Sequence, residues 1–430
     1  MGLIQITNKA FQLLKKRGLR ALKQAVANKL YHVSLWDKYS EEALTLVSWL
    51  DFSASEVEDS RKVHLSFSGE LKINSITWFI PDFTHPYYGG IYTILRFAQY
   101  FKEIKGVSNQ FVIVGSISKN YASRAAEMIA QAFPSLADAS VQQITSYKEL
   151  IQIKPTDAAI ASLWTTAYFL LRFNQTKRKF CFLQDYEPLF YPAGATYSQV
   201  EATYRFGFYG IANTPTIKEI YEQQYGGKAN FFFPCVDIEV FSPIEPTKSN
   251  SSPYTVFFYG RPGNPRNGFE LGAIALRKLK IRLGNQVRIL SAGAAWNPKD
   301  FELEGVVENL GLLNYKQTAD IYSSCDVGLV MMFTRHPSYL PFELMASGCL
   351  VVSNYNPATT WFLKEGQNCL LSESSATCLA EVLEKALLAH EERDKIVANA
   401  LKEVQMFYTD WHKQIEKIYT YMCNPLVSEV

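Results

Sequence analysis

The sequence begins the same folding unit twice. Residues 76–80 form an unbroken apolar run apart from Thr77, a loop then ends in Gly89-Gly90, and 91–105 places Leu95, Ala98 and Phe101 on one helical side. At 254–259 a second aromatic and β-branched run appears, followed by the glycine-rich loop 260–268 and a helical pattern at 269–279. A continuous apolar run that gives way to helical spacing is a strand buried on both faces followed by a crossover helix, the unit of a parallel sheet. Further runs follow at 111–114, 158–163, 179–184, 208–213 and 231–234, and in the second half at 287–290, 327–332 and 349–352. Between the halves, 236–253 is rich in Pro, Ser and Asn and reads as a linker.

A chain of 430 residues is also too long for one ordinary core. The expected fold is therefore α/β, with two open doubly wound (Rossmann-like) domains, 71–236 and 254–405, joined by a linker at 237–253. They face each other across a cleft lined by strand carboxyl ends, where ligands of such sheets bind. Residues 376 onward read as nearly all helical with a break near Tyr408-Thr409-Asp410, so 406–430 is expected to cross back onto the first domain. Residues 1–70 form an extra helical N-terminal segment. Within it, 36–69 holds a helical stretch at 42–50 and then a polar, poorly patterned stretch.

The net charge of +2 argues against a nucleic-acid partner. Residues 1–30 nevertheless carry Lys9, Lys15, Lys16, Arg17, Arg20, Lys23 and Lys29 and no acid. That is a basic amphipathic helix, suited either to an anionic membrane surface or to the body of the protein. The seven cysteines include no C-x-x-C pair, which suits reduced thiols. With no signal-peptide core and no membrane-spanning window, the expected location is the cytoplasm, with peripheral contact at the inner face of the membrane.

Chemistry concentrates at 336–354. Pro337 and Pro341 punctuate a loop, Glu343 opens a short helix that Gly348 stops, and 349–352 is a buried strand. Loop amides ahead of a helix favour an anion, and a carboxylate one turn in can hold a diol. Phosphate and ribose together describe a sugar-nucleotide site, although a plain helix start would use the same letters. Arg261 and Arg266, in the loop after Gly260, suit a diphosphate, and Gly293 ends the neighbouring strand. In the first half Asp185 and Glu187 follow a strand end and are the acid–base candidates. Tyr186 between them and the pair Gly89-Gly90 form the acceptor-side rim. The absence of G-x-G-x-x-G, of a P-loop, of a Ser-His-Asp set and of metal-like partners for His85 or His336 speaks against nicotinamide, nucleotide-hydrolysing, hydrolase and metal chemistry.

With these residues in view, the chain resembles the GT-B-fold glycosyltransferases of family 4. The similar phrases are Gly89-Gly90, V-D-I-E-V-F-S-P (236–243), Tyr259-Gly260-Arg261, A-D-I-Y-S-S-C-D-V (319–327) and E-L-M-A-S-G-C-L-V-V (343–352). F-L-Q-D-Y-E-P-L-F-Y-P-A-G (182–194) and F-F-Y-G-R-P (257–262) are similar to the WsaF-type bacterial rhamnosyltransferases. The resemblance implies that Glu343 binds the ribose and that Arg261 meets the donor diphosphate together with the loop amides at Ser338 and Tyr339. Asp185 becomes the acceptor base, with Glu187 second. No lysine follows Arg261, so Arg266 stands in for it. Many family members carry a second glutamate where this chain has Arg335, which suits a 6-deoxy sugar.

The implied activity is transfer of L-rhamnose from dTDP-rhamnose to a growing bacterial surface glycan, the acceptor being lipid-linked, with no cofactor and no metal. A sugar-nucleotide epimerase of the same fold and a non-catalytic scaffold of a glycan-assembly complex are the alternatives.

Overall fold

The computed structural model describes residues 44–426 apart from 68, 88, 116, 117, 119 and 244–252. The expected basic helix at 1–30 and most of the expected linker lie outside the described residues.

Seven strands form the first sheet: β1 (Ser75–Pro81), β2 (Ser108–Val114), β3 (Ser140–Ile144), β4 (Thr156–Ala161), β5 (Thr176–Leu183), β6 (Tyr209–Ala212) and β7 (Lys228–Phe231). Their order is β3-β2-β1-β4-β5-β6-β7, and every pairing is parallel. The second sheet comprises β8 (Tyr254–Tyr259), β9 (Val287–Ala292), β10 (Glu308–Asn309), β11 (Val327–Val330), β12 (Leu350–Asn354) and β13 (Leu370–Ser372). Its order, β10-β9-β8-β11-β12-β13, is again wholly parallel. Strand order therefore reverses between β1 and β4 and between β8 and β11. Ligands of doubly wound sheets bind beyond the strand ends at such switch points. Gly89-Gly90 follows β1, Arg261 follows β8, and the loop 331–339 follows β11, so these candidates stand at the switch points.

Each sheet is covered on both faces, which explains its unbroken apolar strands. Trp78 and Ile80 pack on one face of the first sheet, with Phe79 and Ala161 on the other. Phe258 and Leu329 pack on one face of the second, with Phe257 and Val330 on the other. The expected crossover is present. After a break at Tyr408–Asp410 the helix Trp411–Cys423 leaves the second half and buries Ile415, Ile418 and Met422 in the core of the first. Arg178 on β5 donates to the carbonyl oxygens of Met422 and Cys423, tying the end of that helix to the sheet.

Residues 36–69 differ from expectation. A short helix at 44–49 is followed by a second helix, Ala54–Leu65, where the sequence read as unpatterned. This helix buries only Ser60 and His64, so it has no apolar stripe to read. It docks through polar groups: Lys179 Nζ donates to Ser60 Oγ at 2.8 Å, and its amide donates to His64 Nε2 at 3.1 Å. Among the described residues no helix is long and apolar enough to cross a membrane.

Candidate functional site

The loops beyond the two sets of strand ends meet one another. Thr334, just past β11, donates its hydroxyl to Asp185 Oδ2 at 2.8 Å. Tyr339 reaches the first half with its side chain, and Arg96 from the helix Gly89–Lys105 donates to both oxygens of Asp237 at 2.8 and 2.6 Å.

On the second-half wall, glycine is required where the loops after β8 and β9 touch. A Cβ on Gly260 would stand 2.2 Å from Ser291 Oγ, and one on Gly293, whose φ is +114°, would stand 2.5 Å from the Tyr259 ring. Arg261, against Gly293, donates to the Tyr259 hydroxyl at 3.3 Å and forms no carboxylate pair among the described residues. Its remaining guanidinium donors are available to an anion. Arg266 takes a different course. Its guanidinium lies 4.4 Å from the centre of the Phe190 ring in the first half, and its charge helps hold down the pKa of Asp185. Its place is at the cleft between the halves.

Glu343 occupies the first turn of the helix Leu340–Ala346. Its carboxyl group is largely buried and has no hydrogen bond among the described residues, and burial together with the nearby charge of Asp237 pushes its pKa up to about 8. Tyr315 and Tyr322 stand close by. An unpaired acid in such surroundings has capacity for two hydroxyl donors. The helix has only seven residues, so its dipole alone is a weak lure for an anion. Ahead of it, Ser338 adopts φ +68°, a region uncommon for a residue with a side chain. It is held there by its amide, which donates to His336 Nδ1 at 2.9 Å. Burial pushes His336 down to about 3, so the ring stays neutral and can keep accepting.

On the first-half wall, Gly89 and Gly90 open the helix Gly89–Lys105 and are exposed. Gln184 Nε2 donates to the Gly90 carbonyl at 3.2 Å, so a larger residue there would press on that side chain. Asp185 faces the cleft. Burial raises its pKa to about 6, against the pull of the Thr334 hydroxyl, the Tyr186 and Arg335 amides and the Arg266 charge. Its two neighbours turn the other way. Tyr186 is 7% exposed, bonds hydroxyl to hydroxyl with Tyr225 and packs edge-on against Tyr204. Glu187, also 7% exposed, accepts from the Trp164 amide at 2.8 Å, at the start of the helix Trp164–Arg172. Tyr186 is therefore a core residue rather than part of the acceptor rim. Glu187 is a helix-capping acid in the core beneath the site, which displaces it as a second base.

Sequence reasoning missed Thr334, Thr93, Asn213 and Trp411, the groups that join the halves. Only Asn213-Thr214-Pro215 carried a local signal, a helix start after a strand, and that signal does not reveal its partner across the cleft. No group of three or more His, Cys, Asp or Glu able to hold a metal occurs among the described residues.

Residues 254–384 match the model of the family described as WsaF, C-terminal domain. The second half of the chain is thus similar to that domain. Arg261, Gly293 and Glu343 all lie inside it. A relative described as O-antigen biosynthesis protein RfbC, from Myxococcus xanthus, is 38% identical over 410 residues, which is 95% of this chain and 31% of that protein. The chain thus spans about a third of that relative's length. Among solved structures, Anabaena Alr3699/HepE in complex with UDP and glucose aligns with TM-score 0.61 at 15% identity, covering 82% of this chain and all of that one. Sucrose-phosphate synthase from Thermosynechococcus elongatus aligns at 0.61 and 12% identity over 81% of this chain and 98% of that one. WaaG, described as a glycosyltransferase involved in lipopolysaccharide biosynthesis, aligns at 0.56 and 15% identity over 80% of this chain and 98% of its own. Together with the two sheets and the crossover helix, these likenesses identify the fold as GT-B.

Proposed function

We propose that this WsaF-type chain is a glycosyltransferase of polysaccharide assembly. It moves L-rhamnose from dTDP-rhamnose onto a hydroxyl of a growing bacterial surface glycan, carried on a lipid at the inner face of the membrane. The observation that carries the reading is Glu343, a largely buried carboxyl group with no hydrogen bond among the described residues, inside the stretch that matches the WsaF C-terminal domain. The relative's name, an O-antigen biosynthesis protein, and the UDP and glucose bound in the HepE structure support the same reading.

In this reading Glu343 accepts hydrogen bonds from the two ribose hydroxyls. Arg261 and the Tyr339 amide meet the diphosphate; the Ser338 amide, expected to join them, is already spent on His336 Nδ1. The acceptor oxygen attacks the anomeric carbon, the bond from that carbon to the phosphate oxygen breaks, and its electron pair leaves on the diphosphate. Fixed donors stabilise that developing charge, each contributing about 2.7–4 kcal/mol in comparable sites, and take the place of a divalent cation. Asp185 removes the acceptor proton if configuration inverts, exchanging the Thr334 hydroxyl for the acceptor. If configuration is retained, the leaving phosphate takes the proton and Asp185 matters less. Arg335, in place of a sugar-binding glutamate, suits a donor that lacks the 6-hydroxyl.

The test is incubation with dTDP-rhamnose, dTDP-glucose or UDP-glucose in EDTA, with and without a rhamnose-terminated acceptor, followed by nucleotide release and product mass. Release of dTDP and a product heavier by one deoxyhexose, both dependent on acceptor, are expected. A changed sugar with no acceptor present would make the chain an epimerase. No change with any donor would make it a scaffold.

A further inference from the structure

Tyr339 belongs by sequence to the loop ahead of Glu343, yet its side chain is held by the other half of the molecule. Its hydroxyl lies 2.9 Å from Thr93 Oγ1 and 3.1 Å from Asn213 Nδ2, and both residues are buried in the first half. Thr93 gives its own proton to the Gly89 carbonyl at 2.8 Å. The tyrosine must therefore donate to Thr93 and accept from Asn213, a fixed order in which every proton has one place. The ring stacks on Trp411, the first residue of the crossover helix, with centroids 6.2 Å apart, and approaches Gly89 to within 3.9 Å of where a Cβ would stand. Next to it, Ser338 keeps its left-handed backbone only while the flanking groups hold it.

A second line runs beside the first. Arg96 stacks on Trp411 at 4.8 Å and pairs with Asp237, whose charge acts on Glu343. Both lines join the helix that starts at Gly89-Gly90 to the loop and acid read as donor-binding.

We propose that Tyr339 is a positioning residue through which the first half sets the affinity of the second half for a nucleoside diphosphate. The proposal rests on the donor-site reading above. Held by Thr93 and Asn213, the loop 336–339 keeps one conformation; released, it relaxes and the Tyr339 amide loses its aim. By reciprocity, an acceptor that shifts the Gly89 rim changes donor affinity, and a donor changes acceptor affinity by the same factor.

The experiment is calorimetric titration of the full chain with dTDP and with UDP, no acceptor present, for Thr93→Val, Tyr339→Phe and the double variant. Thr93 lies on the first half and is not among the residues assigned to the nucleotide. Each single variant should weaken binding about 3–10-fold, the equivalent of one hydrogen bond, and the double should weaken it no more than Tyr339→Phe alone. A control, Tyr419→Phe, removes a different hydroxyl bond of the crossover helix, to the Ile73 carbonyl at 3.1 Å. It should lower Tm and leave affinity unchanged. If Thr93→Val and Tyr339→Phe also lower Tm but keep affinity within about twofold of the parent, the tyrosine is only a structural tie and the proposal fails. If the two effects add, they act separately and it fails as well. If the parent chain binds neither nucleotide, the donor-site reading falls first, and this one with it.

Discussion

Two glutamates in this chain are driven to the same place by burial and serve opposite ends. Glu187, in the first half, and Glu343, in the second, are each pushed up to about 8. Glu187 has an answer to its burial: the Trp164 amide at the start of a nine-residue helix donates to it. Glu343 has none among the described residues, and Asp237 makes its ionisation harder still. A buried acid with its donor in place holds the fold together. One without a donor is a site whose donors come from outside.

The sharpest way to break this comparison is to truncate each acid. Glu343→Ala should reduce nucleotide affinity about 100-fold, the loss of two charge-assisted hydrogen bonds, while Tm changes little or rises. Glu187→Ala should do the reverse, keeping affinity and losing about 1–3 kcal/mol of stability as an N-terminal amide is left without its acceptor. Titration and thermal melts of both variants read the two effects, and a swap of outcomes would end the distinction.

Asp185 sharpens the contrast, because it too is buried but turned to the cleft. Asp185→Asn should keep nucleotide affinity while turnover falls about 10²–10⁴-fold, if transfer inverts. In the parent chain turnover should fall as the pH drops through about 6, where that carboxyl gains its proton. Full turnover in Asp185→Asn would remove the residue from the mechanism.

Proton linkage gives smaller effects. With a pKa of about 8, Glu343 is mostly protonated at neutral pH. Two ribose donors favour the carboxylate, so binding should release a proton. Affinity should then rise with pH up to about 8, by at most about tenfold per unit, and Glu343→Gln should flatten the profile. The same group affects stability. A carboxyl raised from the ordinary 4.5 to about 8 contributes to folding only while protonated, fully below 4.5 and not at all once the pH has passed 8. Glu343→Gln should accordingly melt a few degrees above the parent at pH 9, with the gap narrowing toward pH 4.

How much of this was legible depended on how local the cause was. The central strands were legible because burial on both faces writes an unbroken apolar run. The edge strand β3 reads S-V-Q-Q-I and β10 is only Glu308–Asn309, so neither left that mark. The helix Ala54–Leu65 left no apolar stripe to read, because polar contacts dock it. In the site, Arg261 and Glu343 could be read because a strand end and a first helical turn fix where they stand. By position alone Asp185 and Glu187 were equal as acids and Tyr186 stood on the rim between them; only the resemblance put Asp185 first. The three share an irregular loop, and which of them faces the cleft is decided by Thr334, Tyr225 and Trp164, all distant in sequence.

Whether Glu343 holds a nucleotide is tested most directly by calorimetric titration of dTDP, UDP and GDP in EDTA, on the parent chain and on Glu343→Ala. The account predicts that one of the three binds in the micromolar range without metal and that the variant loses it. No binding by any nucleotide, or equal binding by the variant, would contradict it and leave Glu343 an ordinary acid in a short helix.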